Sequence, residues 1–350
     1  MHDEGGMWGN YQQYNGILLH SLLCIFNAIW CGNICYASSV QADLLRCIDV
    51  FLEGTKKPLL VLLGPTASGK TALSLELANS VGGEIVNADS RQLYRFLDIG
   101  TAKIRKEEMQ GVPHHLLNVK DPKEEVTVGW YQEAATKVIE DILARKKVPL
   151  LVGGSMLYIS SVIDGLTLAP AADGALHLAL EREYEQDQGV RLHKRLQEVD
   201  PEAAETIHPH NKPYVVRAME IYETLKKPKS KVIEQKKCSY DTLLLGVQRE
   251  RPDLKKKIAE RVDSMFDAGW ISEVRDLLAR GYAASDPGLK SHGYREIVEY
   301  IGEIDRSGSD LDFDIMQENL KKKIVSKTSH YAKRQLTWWK HDERIHWISG

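Results

Sequence analysis

The stretch Gly64-Pro65-Thr66-Ala67-Ser68-Gly69-Lys70-Thr71 decides the fold, because it matches G-x-x-x-x-G-K-[ST] and directly follows the apolar run Pro58 to Leu63. Its two glycines allow backbone turns that a side chain would block, so successive N–H groups can point at one anion beside a helix N-terminus. The amphipathic stretch Ala72 to Ala78 supplies the helix that this pattern requires. We therefore predict a phosphate-binding loop in which Lys70 reaches phosphate oxygens and Thr71 binds a magnesium ion.

Composition sets the limits for the rest of the chain. With 350 residues, 43% of them hydrophobic, it can form one large or two moderate domains. A formal net charge of -3 argues against a uniformly basic nucleic-acid binder but allows a local basic face. Four of the five cysteines lie in the first fifty residues, so the body of the chain is not a disulfide framework.

Residues 1–55 differ from the remainder and are predicted to be an N-terminal extension of uncertain structure. Their apolar stretch, Ile17 to Ala37, lacks the basic flank that a signal peptide or membrane anchor favours. A targeting segment, a loosely packed extension and a start codon assigned too far upstream all stay open. We expect a cytoplasmic protein that contacts a membrane only if this extension inserts.

Short apolar runs alternate with helical stretches in the next part of the chain, such as the helix expected over Val128 to Ala144. This alternation predicts an α/β fold, a P-loop NTPase-like core whose parallel sheet is flanked by helices. After the first run, the predicted strands are Glu84 to Ala88, the region around His115 to Asn118, Val148 to Val152 and Thr242 to Val247.

Ligands in such sheets bind at the carboxyl ends of the strands, so the residues that follow the strands should share one site. These are Gly64 to Thr71, Asp89-Ser90 and Gly153-Gly154-Ser155. His114 and His115 do not suggest a metal site, because successive residues of a strand point to opposite faces.

Residues 171–236 lose the strand pattern and become charged and helix-periodic, as in Leu176 to Glu185 and Val190 to Val199. We predict an all-helical insertion domain over 171–236. The core domain is then discontinuous and comprises residues 56–170 and 237–350, with helices at its C-terminal end.

The acid at the end of the second strand indicates the type of chemistry. P-loop kinases usually hold magnesium partly through an acid at the end of another core strand, whereas the fourth strand here ends in Gly-Gly-Ser. Asp89 suits a reaction in which a carboxylate takes a proton from a nucleophile while the loop restrains an anionic leaving group. A loop or helix-capping aspartate is the alternative for Asp89, and a small-molecule or nucleotide kinase is the alternative function.

A set of ordered motifs then identifies a family. The chain resembles the bacterial type of tRNA dimethylallyltransferase (tRNA isopentenyltransferase) over residues 57–348. The matching segments are Gly64 to Thr71, Asp89-Ser-Arg-Gln-Leu-Tyr94, Asp98-Ile-Gly-Thr-Ala-Lys103, Pro113 to Leu117, Gly153-Gly-Ser-Met-Leu-Tyr158, Asp200-Pro201, Ile207-His208-Pro209, Arg217-Ala-Met-Glu220, Gly293-Tyr294 and Lys333-Arg-Gln-Leu-Thr-Trp338. No cysteine follows Cys238, so nothing resembles the C-terminal zinc finger of eukaryotic relatives.

This resemblance implies transfer of a dimethylallyl group from dimethylallyl diphosphate to N6 of adenine 37, in tRNAs that read codons beginning with U. The products are N6-isopentenyladenosine and diphosphate, and Mg²⁺ is the cofactor. It also implies catalytic roles for Asp89, Ser155 and Lys70, and diphosphate binding by Gly64, Pro65, Thr66, Ala67, Ser68, Gly69, Lys70, Thr71 and Arg217.

The resemblance further implies a monomeric enzyme with a set of tRNA-binding residues, and it implies that the helical insertion domain, residues 171–236, also binds tRNA. The set is Asp89, Ser90, Arg91, Gln92, Ser155, Arg217, Gly293, Tyr294, Lys333, Arg334 and Gln335. Two departures from the family pattern are Ser155, where threonine is usual, and Tyr214, where a second arginine is common. An ion pair with Glu220 is the alternative role for Arg217.

The C-terminal part supplies the expected partner face. The segment from Lys321 to Arg344 contains eight lysines and arginines but only two acids. Tyr331, Trp338 and Trp339 lie among these residues. This pattern suits RNA phosphates and base stacking, with the anticodon stem-loop as the expected ligand. The alternative is a solvated helix whose aromatic residues lie in the core, and we expect at least one of the tryptophans there. Two other functions, an RNA-binding module with a structural P-loop and a relative that prenylates adenylate, also stay open.

Overall fold

The computed structural model describes residues 36–165, 169, 173–232, 238–307 and 313–350. Most of the predicted N-terminal extension therefore lies outside the described residues. Residues 36–58 belong to a unit separate from Leu59–Gly350 and contain helix α1, Tyr36–Glu53. Within the described part of the chain, no helix is both long and apolar enough to cross a bilayer.

A six-stranded sheet confirms the predicted α/β class. Its spatial order is β3-β2-β4-β1-β5-β6, and the registered pairs β2–β3, β2–β4, β1–β4 and β5–β6 are all parallel. The strands are β1 Pro58–Leu63, β2 Glu84–Asn87, β3 His114–His115, β4 Pro149–Gly153, β5 Asp241–Gln248 and β6 Ile345–Ser349.

Two strands differ from expectation. The third strand is only two residues long, because the chain turns at Leu116 and Asn118, both in the left-handed region with φ 60° and 56°. Strand β6 was missed, and it pairs with β5 from Leu244↔Ile345 to Gln248↔Ser349. Its sequence, Ile-His-Trp-Ile-Ser, is half-buried, as expected for the last strand in the order of a sheet.

Helices cover the sheet and continue beyond it. In the first half of the core these are α2 Lys70–Val81, α3 Val128–Ala144 and α4 Met156–Ile163. The middle segment contains α5 Gly174–Asp187, α6 Val190–Val199, α7 Pro201–Thr206, α8 Lys212–Leu225 and α9 Lys229–Val232. The last part contains α10 Arg251–Asp267, α11 Trp270–Ala279, α12 Tyr294–Ser307 and α13 Phe313–Trp339.

The central strands of the sheet are continuously apolar because both of their faces are buried. Every residue from Leu59 to Leu63 in β1 is buried, because helices cover both faces of a parallel sheet. On one face, the rings of Tyr131 and Tyr158 stack with centroids 4.0 Å apart. The hydroxyl of Tyr131 donates to the carbonyl of Asn87 at 2.9 Å, which anchors the end of β2.

Helices α5 to α8 pack around an apolar cluster of their own, which includes Leu192, Leu196 and Met219, and α9 contacts α7 and α8. Asp200 joins two of these helices. Its carboxylate caps α7 by accepting from the N–H of Ala203 at 3.1 Å, and it accepts from the N–H of Ser230 at 2.9 Å. These helices agree with the all-helical character predicted for 171–236, and the domain boundaries stay a prediction.

Candidate active site

The loop Gly64–Thr71 connects β1 to α2 and has the backbone geometry of an anion-binding turn. Gly64, Ala67 and Gly69 all have positive φ, at 145°, 62° and 103°. A Cβ on Gly64 would lie 2.4 Å from the carbonyl oxygen of Val247 in β5, so only glycine fits there. Helix α2 begins at Lys70, so its N-terminal N–H groups open onto the loop.

Lys70 folds back over this loop. Its Nζ donates to the carbonyls of Gly64 at 3.0 Å and Pro65 at 2.6 Å. Burial of the ammonium group and the nearby guanidinium of Arg261 lower the pKa of Lys70 to about 7, although the Asp89 carboxylate opposes this shift. The Lys70 ammonium therefore lies in a site short of negative charge, where an anionic ligand would be favourable.

A second cation, Arg261, was missed by the sequence analysis. It projects from α10, and its Nη1 donates to the hydroxyl of Thr66 in the loop at 3.3 Å. Burial lowers the pKa of Arg261, and the charge of Asp89 opposes that effect. The sequence offered no signal for it, because Arg261 is one of several charged residues on an ordinary amphipathic helix.

Asp89 lies in a turn that follows β2 and is held by hydrogen bonds on both sides. Its N–H donates to Oδ1 of Asn87 at 3.0 Å, and its own Oδ1 accepts from the N–H of Arg91 at 2.9 Å. Because its charge acts on both Lys70 and Arg261, the carboxylate shares one site with the phosphate-binding loop. Both readings of Asp89 are thus compatible with the structure, since the loop role uses one oxygen and leaves the other for chemistry.

Ser155 lies on the turn after β4 and meets the Asp89 turn. Its hydroxyl accepts from the N–H of Ser90 at 2.9 Å, and its own N–H donates to the carbonyl of Ala88 at 3.1 Å. The close approach depends on Gly153, where a Cβ would lie 2.2 Å from that carbonyl. The structure therefore brings together the three strand-end segments that the sequence predicted to share a site.

Helix α13 closes the site with Tyr331 and Gln335. The hydroxyl of Tyr331 lies next to Ser155, and burial together with the Asp89 charge raises the pKa of Tyr331 to about 12. Gln335 is 2% exposed and is hydrogen-bonded to both the loop and Gly154. The structure contradicts the predicted tRNA contact of the Gln335 side chain, because this buried amide offers no surface to RNA.

The structure also contradicts the predicted tRNA contacts of Gly293 and Tyr294. The ring of Tyr294 is fully buried, and its hydroxyl donates to Oε1 of Glu273 at 2.5 Å and accepts from the N–H of Gly100 at 3.1 Å. Gly293 is buried with φ 90°, and a Cβ there would lie 2.0 Å from the ring of Trp270. Both residues therefore lie in the core of the protein.

The side chains of Arg91 and Gln92 hydrogen-bond to backbone carbonyls of other segments of the chain. Nη1 of Arg91 donates to the carbonyl of Pro287 at 3.1 Å, and Nε2 of Gln92 donates to the carbonyl of Thr101 at 3.1 Å. Both side chains are half-buried, so the tRNA contacts predicted for them, and for Ser90, stay predictions.

Arg217 makes the ion pair that the sequence analysis left open. Its Nη1 lies 3.1 Å from Oε2 of Glu220, and its Nη2 donates to the carbonyl of Ala169 at 3.1 Å. Contact with the diphosphate or with tRNA stays a prediction for Arg217. Tyr214, at the position that departs from the family pattern, is 51% exposed with the ammonium of Lys229 over its ring.

The C-terminal helix combines the two alternatives of the sequence analysis. Trp339 is 2% exposed in the core, which confirms the expectation for one tryptophan, whereas Trp338 is 46% exposed. Lys333 and Arg334 are both exposed. These two cations and the Trp338 ring therefore remain on a surface that RNA could reach.

The residues of the phosphate-binding loop suit a magnesium ion that is held mainly by the phosphates of the substrate. The Thr71 side chain is exposed at the start of α2, where it can supply one hydroxyl oxygen. Among the residues that the structure describes, no three histidine, cysteine or acidic side chains form a metal-binding group. Magnesium usually retains waters and binds through few protein groups plus substrate phosphates, and this donor set suits that arrangement.

Comparison with known proteins gives consistent results. Residues 92–342 match the family model described as IPP transferase. A tRNA dimethylallyltransferase of Symbiobacterium thermophilum is 43% identical over 296 residues, 84% of this chain and 89% of the relative. The crystal structure of the Bacillus halodurans tRNA isopentenylpyrophosphate transferase has a TM-score of 0.60 at 36% identity, covering 84% of this chain and 90% of that one. A eukaryotic dimethylallyltransferase acting on tRNA has a TM-score of 0.68 at 25% identity, covering 84% and 74%.

Proposed function

Because the chain belongs to the IPP transferase family, we propose that it transfers a dimethylallyl group from dimethylallyl diphosphate to N6 of adenine 37 in tRNA. The acceptors would be tRNAs that read codons beginning with U, bound through the anticodon stem-loop by a monomeric enzyme in the cytoplasm. The observation that carries this proposal is that the Asp89 turn, which is bonded to Ser155, lies in one site with the phosphate-binding loop and its two cations, Lys70 and Arg261.

The phosphate-binding loop would hold the diphosphate. Diphosphate leaves an allylic carbon readily once its charge is neutralised, and the Lys70 ammonium and the Arg261 guanidinium supply two positive charges. The N–H groups at the start of α2 add donors that need no reorganisation during the reaction. Magnesium bound by the Thr71 hydroxyl would neutralise further charge on the phosphates.

Asp89 would accept the proton of the nucleophile. The lone pair of an exocyclic adenine amine is delocalised into the ring, so a carboxylate that removes a proton as the N–C bond forms assists the attack. The N6–C1 bond forms while the C1–O bond breaks, the electron pair of that bond leaves with the diphosphate, and one N6 proton passes to Asp89. Ser155 would contact the target nucleotide through its hydroxyl.

The adenine must leave its stack to reach this site. Enzymes that modify a base usually extrude it into a pocket, and aromatic side chains often replace the lost stacking. Exposed Trp338 and the cations Lys333 and Arg334 support tRNA binding next to the site.

A labelled-substrate assay tests the proposal against a kinase. Purified protein is incubated with magnesium and unmodified tRNA, and with either dimethylallyl diphosphate carrying a labelled allyl group or γ-labelled ATP. We expect label to enter tRNA from dimethylallyl diphosphate only, and free adenylate to be a poor acceptor. Phosphate transfer from ATP without prenyl transfer would refute the proposal.

A further inference from the structure

Gln335 connects the two loops that would hold the two substrates. It projects from α13, and its Oε1 accepts from the N–H of Thr66 in the phosphate-binding loop at 3.0 Å. Its Nε2 donates to the carbonyl of Gly154, on the turn after β4, at 2.7 Å. Each end of one buried amide is therefore bonded to a different loop.

The turn after β4 is shaped to receive this amide. A Cβ on Gly154 would lie 2.3 Å from Nε2 of Gln335 and 3.3 Å from the carbonyl oxygen of Gly64. Any larger residue at position 154 would therefore push Gln335 away from the turn. The absence of a side chain on Gly154 lets α13, the phosphate-binding loop and the turn meet at one point.

The same turn continues directly to the acceptor side of the site. Ser155 follows Gly154, binds Ala88 and Ser90 through its N–H and hydroxyl, and so fixes the turn that carries Asp89. Tyr331, one helical turn before Gln335, lies next to Ser155. Helix α13 thus contacts the donor side through Gln335 and the acceptor side through Tyr331.

We propose that Gln335 is a positioning residue that sets the separation between the diphosphate loop and the Asp89–Ser155 turn. The inference rests on the proposed function. Attack needs the two reacting atoms about 3 to 3.5 Å apart and aligned, and a misplacement of about 1 Å can reduce the rate by about 100-fold. Gln335 acts through the two loops, since both ends of its amide are bonded to backbone groups.

The substitution Gln335→Glu tests this role with a pH readout. A protonated glutamic acid can still donate to Gly154 and accept from Thr66, whereas an ionised one has no proton for the carbonyl of Gly154. Burial raises the pKa of a carboxyl group, so the wild-type pattern should return as the pH falls through that pKa. Values of kcat and KM relative to wild type at the same pH cancel the titration of other groups.

We expect kcat of Gln335→Glu to be close to wild type at the acidic end of a pH series and about 10- to 100-fold lower at the alkaline end. The KM values for dimethylallyl diphosphate and tRNA should change by less than about threefold, because Gln335 binds neither substrate. Gln317→Glu is the matched control on the same helix, and its rate relative to wild type should not depend on pH.

Three results would overturn the inference. These are an unchanged kcat of Gln335→Glu across the pH series, a loss that does not depend on pH, and a tenfold rise in the Kd for tRNA with kcat intact. If Gln335→Glu does not fold, Gly154→Ala should show the same loss of kcat with unchanged KM, and a wild-type kcat would then overturn the inference. A wild-type enzyme without prenyl transfer would refute the proposed function, whereas an active wild type with active variants refutes only this inference.

Discussion

Binding of dimethylallyl diphosphate should take up a proton, because Lys70 is partly neutral before the ligand arrives. Its pKa of about 7 results from burial and from Arg261, and a bound diphosphate would oppose both effects with negative charge. At pH 8 a group with this pKa is about nine-tenths neutral, so binding should take up about 0.9 protons. The affinity should then fall by about eightfold from pH 7.5 to pH 8.5, and the fall should continue until the pH reaches the pKa that Lys70 has in the complex.

Calorimetry at pH 8 measures this linkage directly. Titration of dimethylallyl diphosphate in two buffers of different ionisation enthalpy gives the number of protons taken up, and no transfer occurs while tRNA is absent. Lys70→Arg is the control, since a guanidinium stays charged over the whole range, and its binding should show almost no proton uptake. Equal affinity for wild type at pH 7.5 and 8.5, with no proton uptake, would refute the reasoning.

Three further predictions concern other residues of the site and the core. Asp89→Asn keeps the acceptor for the N–H of Arg91 but removes the base, so kcat should fall by about 10² to 10⁴ while tRNA affinity in filter binding is unchanged; an unchanged kcat would exclude Asp89 as the base. Arg261→Met removes a half-buried positive charge next to the loop. Calorimetry should show dimethylallyl diphosphate binding about tenfold weaker, whereas equal affinity would place Arg261 outside the diphosphate site. The buried Glu84 carboxylate is hydrogen-bonded by Arg145 and His115, which lower its pKa to about 2. Because this pKa is below the unfolded value, the ionised Glu84 stabilises the folded state above about pH 4.5, and the stabilisation is lost as the pH falls towards 2. Glu84→Gln should lower the free energy of unfolding at pH 7 by about 2 kcal/mol and by less in acid, and urea unfolding that gave the same difference at both pH values would contradict this assignment.

The sequence predicted the parts of the fold whose signals are local. The glycine spacing of the phosphate-binding loop, the apolar runs of the central strands and the periodicity of helix α3 all gave elements within a few residues of those observed. Strand β6 was missed, because its five residues mix apolar and polar side chains and follow a basic segment that we interpreted as an RNA-facing surface. Its position next to β5 depends on a pairing about one hundred residues away in the chain.

The residues of the site also divide into those that local sequence signals predict and those whose role depends on tertiary packing. Asp89 and Ser155 could be predicted, because each follows a strand that ends at the same edge of the sheet. Arg261 could not, since its role depends on where α10 packs. Gln335 and Tyr294 belong to segments that suggested RNA contact, yet tertiary packing buries both side chains. Motifs therefore identified important positions in this chain without distinguishing residues that contact a substrate from residues that support the site.

Nucleoside mass analysis tests the central claim most directly. Unmodified tRNA that reads codons beginning with U is incubated with the purified protein, dimethylallyl diphosphate and magnesium, then digested and mapped by mass. The account predicts N6-isopentenyladenosine at position 37, formed in equal amount to the diphosphate released. Unmodified adenine 37 after incubation with a folded preparation that binds both substrates would contradict it.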